Sequence, residues 1–330
     1  MFFKLYDKQI EVMRLKALES RVPTHHPKKE MVVRDLKKKK SEVAGEKELD
    51  YPLGFLDSEK YLILHNIRLK DENGYFQIDT LVLASKFYLI LEVKNWQGTV
   101  IFDDNGQVIR KRSNEEEEGF PNPIPQVKTQ TFRLRKWLRK HSFPEMEIES
   151  FIVIAFPSTI VKSAHPGTRI PEQVILNNQI HFKILELEKK PYNHQTSIAI
   201  LREVAQKLLE QHTPTKSNLL QKYRLDHSEL IKGVFCPECQ FIPMIRSKYK
   251  WTCTKCGAFS RCAHRAALED YQLLIGNTIT NKQAREFLLV ESPYAAKRIL
   301  QSENLIQIGN KKGRIYRFAD KNPNSPLKLK

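Results

Sequence analysis

No stretch of about 18 uncharged apolar residues, the length a membrane-spanning helix needs, occurs in the 330-residue chain. The start, "MFFKLYDKQIEVMRLK", does not read as a secretory signal either, because it carries acidic residues and lacks a small-residue cleavage site. Cysteine is missing from most of the chain: all five (Cys236, Cys239, Cys253, Cys256, Cys262) fall within 27 residues of each other. A disulfide framework for the whole chain would be spread more widely, so a reduced, metal-binding cluster and a cytoplasmic protein are expected.

What the chain has is positive charge, unevenly placed. Residues 1–40 hold 12 Lys/Arg against 5 Asp/Glu (+7), residues 41–212 hold 22 against 24 (−2), and residues 213–330 hold 21 against 9 (+12). Basic ends around a near-neutral centre suit a polyanion partner, with the flanks supplying phosphate contacts. Charge kept for solubility alone is the alternative. At 41% hydrophobic content the chain can bury a sizeable core and is long enough for two or three domains.

The first 40 residues hold one amphipathic helix (about 8–20), are interrupted by Pro23 and Pro27, and end in "LKKKK"; they otherwise read as an extended, partly ordered basic arm. "SEVAGEKELDYPLGFL" then looks helical, and "YLILHNIRL", "YFQIDTLVLAS" and "FYLILEVKNW" are of strand length and composition. "DENG" and "DDNG" are turns, the second closing a hairpin of "TVIF" and "QVIR"; "EEEE" at 115–118 reads as a solvated loop. A helix follows over 125–140, then a buried strand "FIVIAF", then a helix capped by Thr196 or Ser197. The resulting α/β unit spans 41–212, with a linker at 213–231.

Three charges in these strands need a reason. Residues two apart share a strand face, so Glu92 and Lys94 project together while Phe87, Leu89, Leu91 and Val93 cover the other side. A buried ion pair is a weak stability device. Two carboxylates, Asp79 and Glu92, suit a hard divalent cation that binds phosphate and activates water, and a neighbouring ammonium can orient that water.

Asp followed by Glu-x-Lys on successive strands resembles the core of the PD-(D/E)xK nuclease superfamily. More closely, "AGEKEL", "FQIDTLVL", "EVKNWQG" and "NPIPQ", in this order, resemble the nuclease-related domain (NERD) family; Ile78 replaces the superfamily's Pro, in the "QID" form of that family. The resemblance implies a restriction-endonuclease-like mixed sheet flanked by helices and hydrolysis of phosphodiester bonds, in DNA, with Mg2+ or Mn2+. It also implies Asp79 and Glu92 as metal ligands, Lys94 as catalytic lysine, Glu46 as a helix carboxylate near the metal, and Gln126 as the glutamine of the next helix. Plainer roles remain open: Glu46 as a solvated charge, Gln126 as a cap, Trp96 and His65 as packing residues. A non-cleaving nucleic-acid-binding or regulatory protein with a vestigial or partner-dependent core is the rival function.

"CPEC" and "CTKC", thirteen residues apart, supply four thiolates (Cys236, Cys239, Cys253, Cys256) for a closed structural Zn2+ site in a small ribbon, 232–262. Cys262 is expected to be a small packed residue. "AALEDYQLLIG", "NKQAREFLL" and "SPYAAKRIL" read as three helices, the last capped by Ser292, before a hairpin in "LIQIGNKKGRIYRF". That order over 263–320 resembles a winged helix, ahead of a tail at 321–330. DNA would then meet Tyr294, Lys297 and Arg298 on the third helix and Lys311, Lys312 and Arg314 on the wing. A protein-interaction module of the same shape is the alternative.

Overall fold

A computed structural model describes residues 2–4 (as backbone), 8–103, 106–112, 116–165, 169–215, 218–310 and 313–319. They fall into two compact units, one built from the chain's start through Lys8 together with residues 39–215, the other from residues 9–38 together with residues 218–319.

The chain begins with β1 (Phe2–Lys4), α1 (Lys8–Arg21), α2 (Lys29–Lys47) and α3 (Asp50–Leu53). The helix expected over 8–20 is α1, and where the rest of an extended arm was expected a second helix, α2, follows. Pro27 lies just before α2 instead of interrupting it, and Val32, Leu36 and Val43, spaced by four and seven, bury one stripe of a helix that runs straight through the lysines. The helix anticipated from Ser41 is therefore the end of a longer one.

Strands β2 (Leu62–Asp71), β3 (Gly74–Leu83) and β4 (Phe87–Lys94) follow as expected. A hairpin of β5 (Thr99–Phe102) and β6 (Gln107–Lys111) comes next, then β7 (Glu117–Pro121), α4 (Pro123–Lys140), β8 (Glu147–Ile154), β9 (Ile160–Ser163), β10 (Val174–Leu176), α5 (Ile180–Lys189) and α6 (Ile198–Gln211). A mixed sheet in the order β1-β2-β3-β4-β8-β10 is the centre of the unit. One face packs Tyr88, Ile90 and Ile78 against Leu134 and Leu138 of α4 and Leu201, Val204 and Leu208 of α6. The other packs Phe87, Leu89 and Leu91 against Leu53 of α3 and Ile184 and Leu187 of α5. Ser197 caps α6, its hydroxyl accepting the Ile200 N–H.

A second sheet, β7-β6-β5-β9, corrects one expectation. Glu117 and Glu118 belong to a strand, opposite Lys111 and Arg110 of β6, and pair with them as cross-strand ion pairs. Trp96 is a packing residue, buried against Phe102 and Phe120. His65 is buried in β2 with Nδ1 3.0 Å from the Thr80 hydroxyl.

In the second unit, α7 (Leu219–Tyr223) packs Leu219, Leu220 and Tyr223 against Leu15 and Leu18 of α1. The cysteine region forms β11 (Ile245–Ser247), β12 (Lys250–Thr252) and β13 (Phe259–Ser260), followed by α8 (His264–Leu274), β14 (Thr278–Thr280), α9 (Asn281–Leu288), α10 (Pro293–Ser302), β15 (Ile306–Ile308) and β16 (Ile315–Arg317). Ribbon and helices share one core, in which Trp251, Cys236 and Cys253 join Leu268, Phe287 and Ile299. The Trp251 indole N–H donates to His264 Nδ1, and His264 Nε2 lies 3.0 Å from Glu303. Cys262 is exposed, against the expectation of a packed residue, because it lies past the last ribbon strand in the turn that starts α8. Among the described residues, no helix is long and apolar enough to cross a membrane.

Candidate active site

The β3–β4 ladder runs from Leu83–Tyr88 to Thr80–Leu91 and stops. One residue further along, the Val93 N–H donates to Asp79 Oδ2 at 3.2 Å. A side-chain carboxylate has replaced the backbone acceptor, so the strands part where Asp79 faces Glu92 and Lys94. On the opposite edge of β3, the register places Asn66 of β2 level with Asp79. Asn66 has φ +55°, a left-handed conformation that Asn tolerates better than most residues. This backbone irregularity points its amide at the site.

Glu92 is almost fully enclosed, and both of its oxygens have donors. Lys94 Nζ and Gln126 Nε2 reach Oε1 at 2.6 and 2.7 Å; Gln130 Nε2 reaches Oε2 at 2.8 Å and also bonds the Gln77 carbonyl at 3.0 Å. Lys94 Nζ further donates to Gln126 Oε1 at 3.1 Å. Lys94, Glu92 and Gln126 thus form a closed triangle. The glutamines come from α4, whose start is fixed by Asn122, its side chain accepting the Ile124 N–H. Side-chain exposure rises from 5% at Glu92 to 20% at Lys94, so the triangle leads from core to surface.

Glu46 comes from the last turn of α2. Gly45 allows this approach, since a Cβ there would stand 2.7 Å from Cβ of Asn95, just beyond β4. Glu46 is no solvated charge: it is 3% exposed, and its Oε2 accepts from Asn66 Nδ2 at 3.0 Å. Asn66 Oδ1 in turn accepts from Gln77 Nε2 at 3.1 Å. Lys8, at the start of α1, donates to Glu46 Oε1 and, at 3.2 Å, to Asp79 Oδ1.

Burial pushes the Glu46 carboxyl up to about 7, with Asp79 adding to the rise and Lys8 opposing it. Glu92 is raised for the same reasons, burial first and the Asp79 charge second, against the pull of Lys94. Burial works against the Lys8 ammonium, but Asp79 and Glu46 more than reverse it and hold its pKa above the ordinary lysine range. The site therefore carries more negative charge than its enclosure favours, and it draws cations.

The acidic residues do not close into one compact ligand cluster. Among the described residues, the single group of three or more metal-type ligands with their atoms within 4.8 Å of one another is Cys236, Cys239, Cys253 and Cys256. Asp79 is the shared member of the acidic set, joined to Glu46 through Lys8 and acting by its charge on Glu92. Hard oxygen donors with an ammonium already seated between two of them fit a divalent cation.

The four cysteines sit on two equivalent turns. Gln240 N–H bonds the Cys236 carbonyl and Gly257 N–H the Cys253 carbonyl, at 2.9 and 3.0 Å; Gln240 (φ +57°) and Gly257 (φ +74°) both take the left-handed conformation. Cys236 and Cys256 Sγ are 3.7 Å apart, Cys239 and Cys253 Sγ 3.6 Å. The backbone N–H groups of Cys256 and Lys255 pull the Cys253 thiol down to about 7, which favours a thiolate ligand.

On α10, Tyr294, Lys297 and Arg298 share the exposed face, opposite buried Ala296, Ile299 and Leu300. The Arg298 guanidinium lies over the Tyr249 ring. Arg314 is half-buried beside β16; Lys311 and Lys312 lie outside the described residues. Lys8, Asn66, Gln77 and Gln130 were missed as site residues. Only a lysine at the start of a helix, where the dipole disfavours it, offered a signal for the first.

Residues 41–155 match the family model of the nuclease-related domain. The chain is also similar to an uncharacterized protein of Bacillus anthracis, 23% identical over 185 residues that make up 54% of this chain and 77% of that protein. No solved structure matches it. The stretch that is similar to the nuclease-related domain is thus the one that holds Glu46, Asp79, Glu92, Lys94 and Gln126.

Proposed function

We propose that the chain is a divalent-metal-dependent nuclease that hydrolyses phosphodiester bonds in DNA. The observation that carries this reading is the parting of β3 from β4 at Asp79, beside a Glu92–Lys94–Gln126 triangle, within a segment related to nucleases. A purely structural ion pair would not need a second carboxylate alongside, raising the cost of its own burial.

Asp79 and Glu92 hold Mg2+ or Mn2+, with Glu46 as the third acidic group nearby. Bound there, the ion supplies an activated water and charge neutralisation for the phosphate. Lys94 orients the attacking water and offsets charge as it builds on the phosphate. Gln126 keeps Lys94 and Glu92 in mutual register, and Gln130 fixes the far oxygen of Glu92.

The second unit positions the substrate. Sulfur separations of 3.6 and 3.7 Å agree with a tetrahedral Zn2+ site whose Zn–S bonds are about 2.3 Å, and this zinc is structural. The order α8, β14, α9, α10 and the β15–β16 hairpin supports a winged-helix-like module. In that module α10 presents Tyr294, Lys297 and Arg298 to the major groove and Arg314 to phosphates.

Purified protein with Mg2+ or Mn2+ is expected to cut DNA on a panel of single-stranded, duplex and RNA substrates. Glu92→Ala should abolish cutting and Lys94→Ala should slow it by orders of magnitude, while the circular dichroism spectrum stays unchanged in both. Full activity in both variants sinks the assignment, and DNA binding with no metal-dependent cleavage on any substrate favours a non-cleaving nucleic-acid-binding protein.

A further inference from the structure

The residue least explained by this mechanism is Lys8. A lysine in the first turn of a helix is electrostatically unfavourable, because the N–H dipoles already present positive charge there. Its side chain nevertheless reaches two carboxylates that lie 38 and 71 positions further along the chain. The acidic site supplies compensation for that position.

The geometry of those carboxylates is that of a seat. Glu46 turns one oxygen to the Asn66 amide and the other to Lys8; Asp79 turns one oxygen to the Val93 N–H and the other to Lys8. Each carboxylate is oriented by a donor on its far side, so the oxygens that converge are set by the fold and only the cation between them is exchangeable. Lysine suits an exchangeable occupant: it is a compact charge on a flexible stem, without the rigid two-pronged grip of arginine. An ammonium supplies a single positive charge to two enclosed carboxylates. A divalent ion supplies two, and it binds the same oxygens.

We infer that Lys8 is the resident cation of the acidic site, seated between Glu46 and Asp79 and so holding the Asp79 carboxylate that a divalent metal would need, with the result that metal and Lys8 exclude one another. This rests on the metal-dependent reading above. Without metal, Lys8 keeps the two carboxylates together. When metal enters, the Lys8 side chain leaves, and metal affinity is set lower than the carboxylates alone would give.

The test uses the full zinc-loaded chain and Mn2+ alone, without nucleic acid. Mn2+ binding is measured by calorimetry and by the electron paramagnetic resonance of the bound ion in the wild type, Lys8→Met, Lys8→Arg and Asp79→Asn. Lys8→Met is expected to bind Mn2+ about ten- to a hundredfold tighter than wild type, the range that corresponds to no longer breaking a charge-assisted hydrogen-bonded pair. Lys8→Arg should bind no tighter than wild type, and Asp79→Asn should lose the site. A second measurement needs no variant: amine-selective acylation of Lys8, read by peptide mass spectrometry, should rise when Mn2+ is added to the wild type. Equal Mn2+ affinity in wild type and Lys8→Met, or Lys8 labelling unchanged at saturating Mn2+, overturns the inference and leaves the metal site standing. Weaker binding by Lys8→Met overturns it as well, making Lys8 a positioning partner of the metal ligands. No Mn2+ binding by any of these chains overturns both the inference and the metal-dependent reading.

Discussion

In the cysteine set, every ligand atom lies within 4.8 Å of every other; in the acidic set, Lys8 stands between Glu46 and Asp79, and Lys94 stands against Glu92. The thiols come from two short turns, one ahead of β11 and one between β12 and β13, close together in the chain. The carboxylates come from α2, β3 and β4, and each needs a donor from elsewhere (Asn66, the Val93 N–H, Gln130) to hold its orientation. A locally built site can be closed and structural. One assembled from distant elements keeps enclosed charge that depends on donors and cations supplied by the rest of the fold.

The largest expected effect tests the closed side of this contrast. Cys236→Ser should remove about one zinc per chain and up to roughly 10 kcal/mol of metal-linked stability from its unit, read by metal analysis and by the emission of buried Trp251. Unchanged zinc content would break the contrast at its first member. On the open side, Lys94→Ala should slow cleavage by about 100- to 10,000-fold with little change in the unfolding midpoint. An equal loss of stability and activity would make Lys94 a structural ion-pair member.

Gln130→Leu sharpens the comparison, because it removes a donor and no ligand. It leaves Glu92 Oε2 and the Gln77 carbonyl without the Gln130 amide and should cost about 1–3 kcal/mol in urea unfolding.

Glu46 contributes a pH dependence to the stability of the metal-free protein. Its carboxyl moves from an ordinary 4.5 to about 7 on folding, so the folded state holds the proton more tightly. The stability this group contributes is full below pH 4.5 and is lost as pH rises through 7. Wild type should lose roughly 1–3 kcal/mol relative to Glu46→Gln across that window, and added Mn2+ should restore it. A difference that is flat with pH would mean that burial does not perturb Glu46. The smallest effect concerns the second unit: Arg298→Ala should weaken DNA binding and reduce the slope of log affinity against log salt by about one.

Legibility followed the distance over which information acts. The strand faces of β4 could be read from alternation, because Phe87, Leu89 and Leu91 on one side and Glu92 and Lys94 on the other follow from the pleat. The start of α10 could be read from Ser292 and Pro293, a local cap. The Glu117–Glu118 strand was hidden because its charges look solvated until Lys111 and Arg110 are placed opposite them. The first N-terminal helix was legible, over 8–20, but α2 was hidden because Pro23 and Pro27 read as breaks, whereas Pro27 merely precedes its start.

The sequence by itself determined which candidate ligand groups are on offer: thiols in two CxxC pairs, and an aspartate followed by Glu-x-Lys on successive strands, since residue type and short-range periodicity are covalent facts. Tertiary structure alone decided which donors hold those carboxylates and which cation sits between them. Lys8, Asn66, Gln77 and Gln130 bear on the site only after β2, β3, α1 and α4 have packed, because a hydrogen bond depends on ångström-scale distances that spacing along the chain does not encode.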